Sequence, residues 1–367
     1  MKLTIFIVAA AAALLSVAMA AAPPPGQQTA TGTDNLNTTT STVEGPNITS
    51  SDAASFIFLP DGRFPPNFTF GGMLDPNLGS HDALSAGMRY AWPMIRDDCG
   101  RFVRRVKYCF VNEDNKTALR HTFKEAIKSW RQELGEPSAE SGHNLQFKDV
   151  GNPYCYANWQ NERNPENWQD GTDVDALAVR IERGTGSAYG TLGYQFALES
   201  APGRHYMVLG DDHVGRAAHE IGHVLGLAHE HQRSDRDQYI EFRCNKLKGF
   251  SDAKKRAEQA AEFDVDYKLC NYQDFAIKYG FNIATQYTRG LGYLTTHDGA
   301  DGFDYKSIMI YLSWESADDV RCRLNAEHCP LAKKGETGIS AFVPFNERPS
   351  SRDVAFVRQF YRWVPQP

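Results

Sequence analysis

The sequence lacks a second long apolar run and an excess of positive charge. After the run that begins at Leu3 and ends at Val17, no segment of the 367 residues is long and apolar enough to cross a bilayer. The 39 Lys and Arg residues stand against 45 Asp and Glu residues, a formal net charge of −6. Nucleic-acid-binding surfaces are usually basic. We therefore expect neither a nucleic-acid nor a membrane partner.

Cysteine is scarce, and no two cysteines have the C-x-x-C spacing. Without that spacing, disulfides are favoured over a cysteine-based structural zinc site for the 7 cysteines. Cys244 and Cys270 flank a segment of helical pattern and could pair, and Cys322 and Cys329 could close a short loop. The other three are Cys99, Cys109 and Cys155. Because the total is odd, one thiol is left over.

The first 52 residues lack the pattern of a folded core. Residues 1–20 combine Lys2, an apolar run and Ala18-Met19-Ala20, the pattern of a secretory signal peptide. A membrane anchor is the alternative, but the run is short and no basic cluster follows it. Residues 21–52 have no aromatic residue and are rich in Thr, Ser, Pro and Asn, which predicts a disordered leader.

Export is also indicated by four N-x-Thr sequons, the acceptor pattern for N-linked glycans. They begin at Asn37, Asn47, Asn67 and Asn115. We therefore expect a secreted, extracellular glycoprotein in which most cysteines form disulfides.

Two histidines at helical spacing give the strongest chemical signal in the chain. His219 and His223 lie four residues apart within AHEIGHVLGLAHEH, residues 218–231. Residues four apart lie on one face of an α-helix, one turn above each other, so both imidazoles can bind one ion. The alternative is an ordinary helix with surface histidines.

The third candidate ligand, His229, requires that the helix ends. In an unbroken helix His229 would lie about 15 Å along the axis from His219, whereas a zinc–nitrogen bond is about 2.0–2.1 Å long. Gly226 can end the helix, because without a Cβ it readily adopts the left-handed conformation that turns the chain. Three protein nitrogens leave the fourth zinc position for water, as in catalytic sites. Glu220 projects near the same face, where a carboxylate can accept a proton from that water.

Residues 219–237, HEIGHVLGLAHEHQRSDRD, resemble the zinc-binding motif of the metzincin peptidases, and of the astacin family in particular. Glu230 is the discriminating residue, because other metzincin families usually have Ser, Asp or Pro after the third histidine. Residues 304–311, DYKSIMIY, are similar to the astacin Met-turn. This similarity implies that Met309 is the hydrophobic base under the metal and that Tyr311 is an extra metal ligand. By themselves, both could be ordinary core residues.

The resemblance implies an α+β fold in which a mixed twisted sheet is backed by two helices. The zinc cleft would lie between N- and C-terminal subdomains. Residues 83–367 would form the catalytic domain, and residues 21–82 the leader and propeptide. Astacin propeptides carry a Phe-x-Gly-Asp motif that is absent here, so Asp61, Asp75 and Asp82 remain equal candidates to cap the zinc.

Two features depart from the astacin pattern. Family cysteines just before the zinc helix and at the C-terminal end are missing, and the interval from His229 to Met309 is long enough to predict an insertion. Within it, alanines and charges in residues 246–273 predict a solvated helix.

Hydrophobic periodicity predicts the other elements. A helix has its apolar stripe from Leu119 to Leu134, with Asp114 or Asn115 as N-cap. Strands are predicted at 104–111, 145–150, 176–182, 189–195 and 205–210, and a closing helix at 351–361.

Residues 187–195, which include the predicted strand at 189–195, would be the substrate-binding sheet edge in the metzincin plan. Its Gly190 and Gly193 would let a peptide backbone approach closely. The alternative is an ordinary glycine-containing loop.

These patterns predict a secreted zinc endopeptidase that binds one Zn²⁺ per chain, acts on polypeptides and uses Glu220 as general base. The resemblance assigns Tyr311 a second role, in which it leaves the metal and stabilises the oxyanion. One rival is a metzincin-fold binding protein without catalysis, which would have no need of Glu220 beside three intact ligands. The other rival is a zinc hydrolase of non-peptide substrates, which would need a closed pocket.

The leader offers no paired basic residues to a processing protease. Between Ala21 and Tyr90 the only basic residues are Arg63 and Arg89, and the pair Arg104-Arg105 falls in a predicted strand that would be shielded from proteolysis. We therefore expect autocatalytic removal or a protease of another specificity. In astacins the freed N-terminus is buried near the Glu after the third histidine, here Glu230, and the resemblance places that terminus near Ala83.

Overall fold

A six-stranded mixed sheet forms the N-terminal part of the fold. The computed structural model describes residues 91–151, 153–158, 165–184, 188–195, 202–289, 302–335 and 341–366. The strands of this sheet are β1 (Met94–Arg96), β2 (Phe102–Phe110), β3 (Leu145–Asp149), β4 (Leu177–Ile181), β5 (Tyr189–Gly190) and β6 (Tyr206–Leu209). Their order is β1-β2-β4-β6-β5, with β3 also paired to β2. Strand β1 is antiparallel to β2, and β5 is antiparallel to β6, whereas the other neighbouring strands are parallel. The predicted mixed sheet is therefore confirmed.

Strand β5 lies at the sheet edge, as predicted, but it is shorter than predicted. Thr191 still donates its N–H to the carbonyl of Tyr206 at 3.0 Å. Gly193 then adopts φ +60°, and its N–H donates to the carbonyl of His223 at 2.8 Å. Pairing with β6 therefore does not continue to Gly193, because its N–H binds the carbonyl of a helical residue instead.

Six α-helices and a second, two-stranded sheet complete the described part of the chain. The helices are α1 (Glu113–Leu134), α2 (Val214–Val224), α3 (Phe250–Gln259), α4 (Val265–Asn271), α5 (Gln273–Lys278) and α6 (Ser351–Phe360). Strands β7 (Ile240–Phe242) and β8 (Leu331–Lys333) pair antiparallel. Short 3₁₀ segments are Pro165–Asn167, Glu230–Gln232, Arg236–Gln238, Cys244–Lys246, Asn282–Gln286, Val320–Arg323 and Ala326–His328.

Helix α1 begins earlier than predicted, and its N-cap is Asn112 rather than Asp114 or Asn115. The Asn112 side chain accepts the N–H of Asn115 at 3.0 Å, which satisfies one of the free donors of the first turn. Asp114 lies in that first turn, where a carboxylate is favoured by the helix dipole. Asn115 is buried, and its side-chain oxygen accepts the N–H of Ile181 at 2.6 Å. The side-chain amide of this sequon is therefore hydrogen-bonded inside the fold. The other three sequons lie outside the described residues.

One hydrophobic core joins the sheet to helices α1, α2 and α6, so the predicted backing of the sheet by helices is confirmed. Phe123 of α1, Met207 of β6 and Ile221 of α2 are all fully buried in it. The indole N–H of Trp130 donates to the carbonyl of Ala218 at 2.8 Å and pins α1 to α2. The direction of α2, which carries the histidine motif, is set by this packing.

A second core lies in the C-terminal part and contains the predicted insertion. The segment predicted as one solvated helix is two helices, α3 and α4, which bury Ala253, Ala257 and Leu269. The helix breaks because Ala261 and Asp264 have φ of 55° and 52°.

The cysteines pair as the sequence allows. Disulfides join Cys244 to Cys270, Cys322 to Cys329 and Cys109 to Cys155, and Cys99 is free and exposed. In the described ranges, no helix is long and apolar enough to span a bilayer.

Candidate metal and catalytic site

Helix α2 ends at Val224, five residues before His229, as a shared metal site requires. Gly226 has φ +100°, and its N–H donates to the carbonyl of His223 at 2.8 Å. The N–H of Leu227 donates to the carbonyl of Gly222 at 3.0 Å, which closes the last turn. The chain therefore reverses at Gly226 and returns His229 to the face that carries His219 and His223.

Three imidazoles converge on one point. The Nε2 atom of His229 lies 3.2 Å from that of His219 and 3.1 Å from that of His223. Each Nδ1 atom faces an oxygen. His219 Nδ1 lies 2.7 Å from the Ile308 carbonyl, and His223 Nδ1 lies 2.8 Å from the Leu227 carbonyl. His229 Nδ1 lies 2.9 Å from the side-chain oxygen of Gln232. Since these oxygens accept, each Nδ1 carries the hydrogen and each Nε2 keeps a lone pair.

This donor set fits a zinc ion. Burial lowers the pKa of His219 to about 4 and that of His223 to about 3, and it lowers the pKa of His229 well below its usual value. All three imidazoles are therefore neutral at physiological pH, the state in which they bind metals. Among the described residues, no other cluster of His, Cys, Asp or Glu side chains has such geometry.

Glu220 lies beside the three imidazoles with an unused oxygen. Its side chain is buried, and its Oε2 atom has no hydrogen-bond partner in the described part of the chain. A Cβ placed at Gly190 would be 3.6 Å from this oxygen, so the edge strand β5 passes next to the carboxylate. Burial raises the pKa of Glu220 to about 8. A cation at the three imidazoles would lower that pKa again.

Met309 lies directly under α2. It is buried, and a Cβ at Gly222 would overlap its sulfur. The methionine can therefore pack against the helix only because residue 222 is a glycine. The Met309 carbonyl accepts the N–H of Glu230 at 3.1 Å. Met309 thus joins the helix and the loop that carries His229.

Tyr311 packs among the histidines. Its ring centroid lies 4.5 Å from that of His229 and 6.1 Å from that of His219. Burial, together with the charges of Glu315 and Glu220, raises the pKa of Tyr311 well above its usual value. The hydroxyl therefore keeps its proton and can donate a hydrogen bond.

Glu230 is buried in an ion pair. Its Oε1 accepts from Arg233 at 2.8 Å and from the N–H of Asp304 at 2.9 Å, while Arg233 also pairs with Asp235. Burial raises the pKa of Glu230 to about 7 even though Arg233 opposes that rise. The predicted N-terminal partner of Glu230 lies outside the described residues.

Two further side chains at the site were not predicted from the sequence. Gln232 accepts the Nδ1 hydrogen of His229. Asp353, buried at the start of α6, accepts from the Ser307 hydroxyl at 2.7 Å and from the Ile308 N–H at 2.8 Å. Ile308 in turn accepts from His219, so Asp353 holds the peptide that orients a ligand. The only sequence signal for Asp353 is the capping pattern Ser350-x-x-Asp353.

The fold and the site have three features that the resemblance to the metzincin peptidases implies: a mixed sheet, a histidine helix that ends at a glycine and a buried methionine beneath that helix. The family model "Astacin (Peptidase family M12A)" matches residues 200–290. Over this part, about a quarter of its length, the chain is similar to the astacin family.

Several curated proteins are similar over part of the chain. The astacin-like metalloprotease toxin 2 of Loxosceles intermedia is 44% identical over 184 residues, which is 50% of this chain and 55% of the toxin. The zinc metalloproteinase nas-22 of Caenorhabditis elegans is 38% identical over 74 residues, 20% of this chain and 17% of that protein. Among solved structures, the hatching enzyme HCE-1, a zinc-protease of Oryzias latipes, has a TM-score of 0.42 at 14% identity, over 74% of this chain and 94% of that chain. The alignments to these two curated relatives span about half of the toxin's length and less than a fifth of nas-22.

We expect Gly226→Val to weaken zinc binding on the order of 10-fold, because a side chain with a Cβ resists φ +100° by about 1–2 kcal/mol and displaces His229. Gly100→Val is the matched control, since Gly100 has φ +78° with nothing near its Cβ position. The control should lose stability and keep zinc affinity, as measured by competition with a chelator. Equal zinc affinity of Gly226→Val and the unsubstituted chain would show that the turn does not position His229.

Proposed function

We propose that this chain is a secreted zinc endopeptidase that hydrolyses peptide bonds in polypeptides. One observation carries the proposal: three neutral imidazoles converge beside a buried carboxylate oxygen without a partner, next to a sheet edge. His219, His223 and His229 would hold one Zn²⁺. Tyr311 is proposed as a further ligand on the basis of its packing against His229.

Zinc bound at these imidazoles would supply Lewis acidity, which lowers the pKa of a bound water toward ~7 and polarises a carbonyl. Glu220 then accepts the water proton at its free oxygen and returns it to the leaving amine, so that water and one peptide bond give a carboxylic acid and an amine. The Tyr311 hydroxyl, protonated because of its raised pKa, donates a hydrogen bond to the oxyanion.

Strand β5 supports the choice of a peptide substrate. It pairs with β6 on one side and is the last strand of the sheet among the described residues. An extended peptide can add to such an edge through its backbone. Because Gly190 has no side chain, the scissile bond of that peptide can approach Glu220.

The test is cleavage of a denatured protein by the purified chain. Cleavage that a chelator abolishes and zinc restores supports the proposal. Zinc binding without any cleavage would favour a binding protein that keeps the fold. Hydrolysis of small esters without cleavage of peptides would favour a zinc hydrolase of non-peptide substrates.

We also propose that residues 1–20 direct export, that residues 21–82 are removed and that the catalytic domain begins near Ala83. The support is the pattern of the sequence and the burial of the Glu230 carboxylate, which could receive an amine. N-terminal sequencing of active enzyme should find a start between about Asp82 and Arg89. Full activity with the leader attached would refute the coupling of trimming to the cleft.

A further inference from the structure

Gln232 uses both ends of its amide to join two parts of the molecule. It is 2% exposed. Its oxygen accepts the Nδ1 hydrogen of His229 at 2.9 Å, and its nitrogen donates to the carbonyls of Thr285 at 3.1 Å and Thr288 at 3.3 Å. Because carbonyls only accept, the amide NH₂ must face the two threonines and the oxygen must face His229. The tautomer of His229 that leaves Nε2 free for a metal is therefore fixed by Gln232.

The two carbonyls between those of Thr285 and Thr288 are also held by the loop that follows His229. The carbonyl of Gln286 accepts from His231 Nε2 at 2.9 Å, and that of Tyr287 accepts from Arg236. His231 and Arg236 are both buried. We call residues 230–236 the metal loop. Four consecutive carbonyls at the end of a 3₁₀ segment, where carbonyls lack helical partners, thus accept hydrogen bonds from side chains of the metal loop. We call residues 285–288 the carbonyl segment.

The carbonyl segment belongs to the core of the insertion. Tyr287 is fully buried, stacks on Phe242 with ring centroids 5.3 Å apart and donates its hydroxyl to the carbonyl of Glu315 at 2.7 Å. It shares one hydrophobic cluster with Ala257 of α3 and Leu269 of α4. The position of the carbonyl segment is therefore set by the same packing that folds the insertion.

We propose that Gln232 is a positioning residue that couples zinc affinity at His229 to the order of the insertion. The proposal rests on the zinc site proposed above, but not on peptide cleavage. A glutamine suits this position because it offers an acceptor to the imidazole and donors to the carbonyls from one group. Methionine, of similar length, offers neither. Glutamate offers the acceptor alone.

The experiment compares Gln232→Met and Gln232→Glu with the unsubstituted chain. Zinc affinity is measured by competition with a chelator, and hydrogen exchange is followed at the backbone amides of Ala284 and Tyr287, which are hydrogen-bonded in the fold. The control is Gln238→Met, since Gln238 is exposed at the end of the 3₁₀ segment Arg236–Gln238.

Gln232→Met should bind zinc about 10–100-fold more weakly, the usual effect of removing a partner of a metal ligand, and should exchange faster at both amides. Gln232→Glu should keep zinc affinity, because the acceptor remains, and should still exchange faster, because the donors are lost. Gln238→Met should change neither readout. In the unsubstituted chain, zinc should slow exchange at both amides.

Two results would overturn the proposal. Unchanged zinc affinity of Gln232→Met refutes the positioning of His229, and unchanged exchange in both variants refutes the coupling to the insertion. If Gln232→Met does not fold, the rate of hydrogen exchange in Gln232→Glu by itself tests the coupling to the insertion. Failure of the unsubstituted chain to bind zinc is a separate outcome that refutes the proposed metal site itself.

Discussion

Glu220→Gln should retain close to one zinc per chain and lose about 10³-fold or more in kcat. The substitution keeps the size of the side chain, and the atom it changes makes no hydrogen bond within the described residues. The hydrogen bonds that orient the three imidazoles through their Nδ1 atoms do not involve Glu220, so the metal site should stay intact. Only the capacity to accept and return a proton is removed.

The stability of Glu220→Gln should equal or exceed that of the unsubstituted chain when both lack metal. A buried carboxylate without a partner is costly to ionise, and the neutral amide avoids that cost. The measurements are metal content, kcat on a peptide and the midpoint of thermal unfolding. Glu133→Gln, an exposed glutamate on α1, is the control. Retained activity, or loss of zinc together with activity, would contradict the role of general base.

Asp353→Ala should lower the free energy of unfolding by about 3 kcal/mol or more. Asp353 is buried and accepts three hydrogen bonds, from the Ser307 hydroxyl and from the N–H groups of Ile308 and Ser350. Alanine leaves these buried donors without a partner, and each such donor costs about 1–3 kcal/mol. The same change frees the Ile308 peptide that holds His219, so zinc affinity should fall as well.

Asp252→Ala is the matched control, because Asp252 is the third residue of α3 as Asp353 is the third residue of α6. Its carboxylate is exposed in the first turn of α3, where the interaction with the helix dipole is worth about 0.3–1 kcal/mol. Denaturant unfolding and zinc competition give the two readouts. Similar losses of stability in both variants would mean that Asp353 acts only as a helix-end charge. Unchanged zinc affinity of Asp353→Ala would mean that its network does not reach His219.

The local part of the site could be predicted from the sequence. His219, Glu220 and His223 lie on one face because of helical periodicity, and the turn at Gly226 follows from the conformational freedom of glycine. These relations hold within a dozen residues, so they depend little on the rest of the chain. The edge position of β5 was predicted from a family plan, whereas its short length was not, because Gly193 binds a carbonyl of a helix about thirty residues away.

The sequence by itself determined the histidine cluster, its carboxylate and the glycine that ends the helix, since each depends on contacts between near neighbours in the chain. Only the tertiary structure decided that Asp353 supports that cluster and that Gln232 joins His229 to Thr285 and Thr288, because Ile308 and these threonines lie tens of residues away from Asp353 and Gln232 in the chain. It also decided which cysteine of Cys99, Cys109 and Cys155 stays free. Pairing at long range is set by the packing of whole elements, and hydrophobic periodicity carries no information about it.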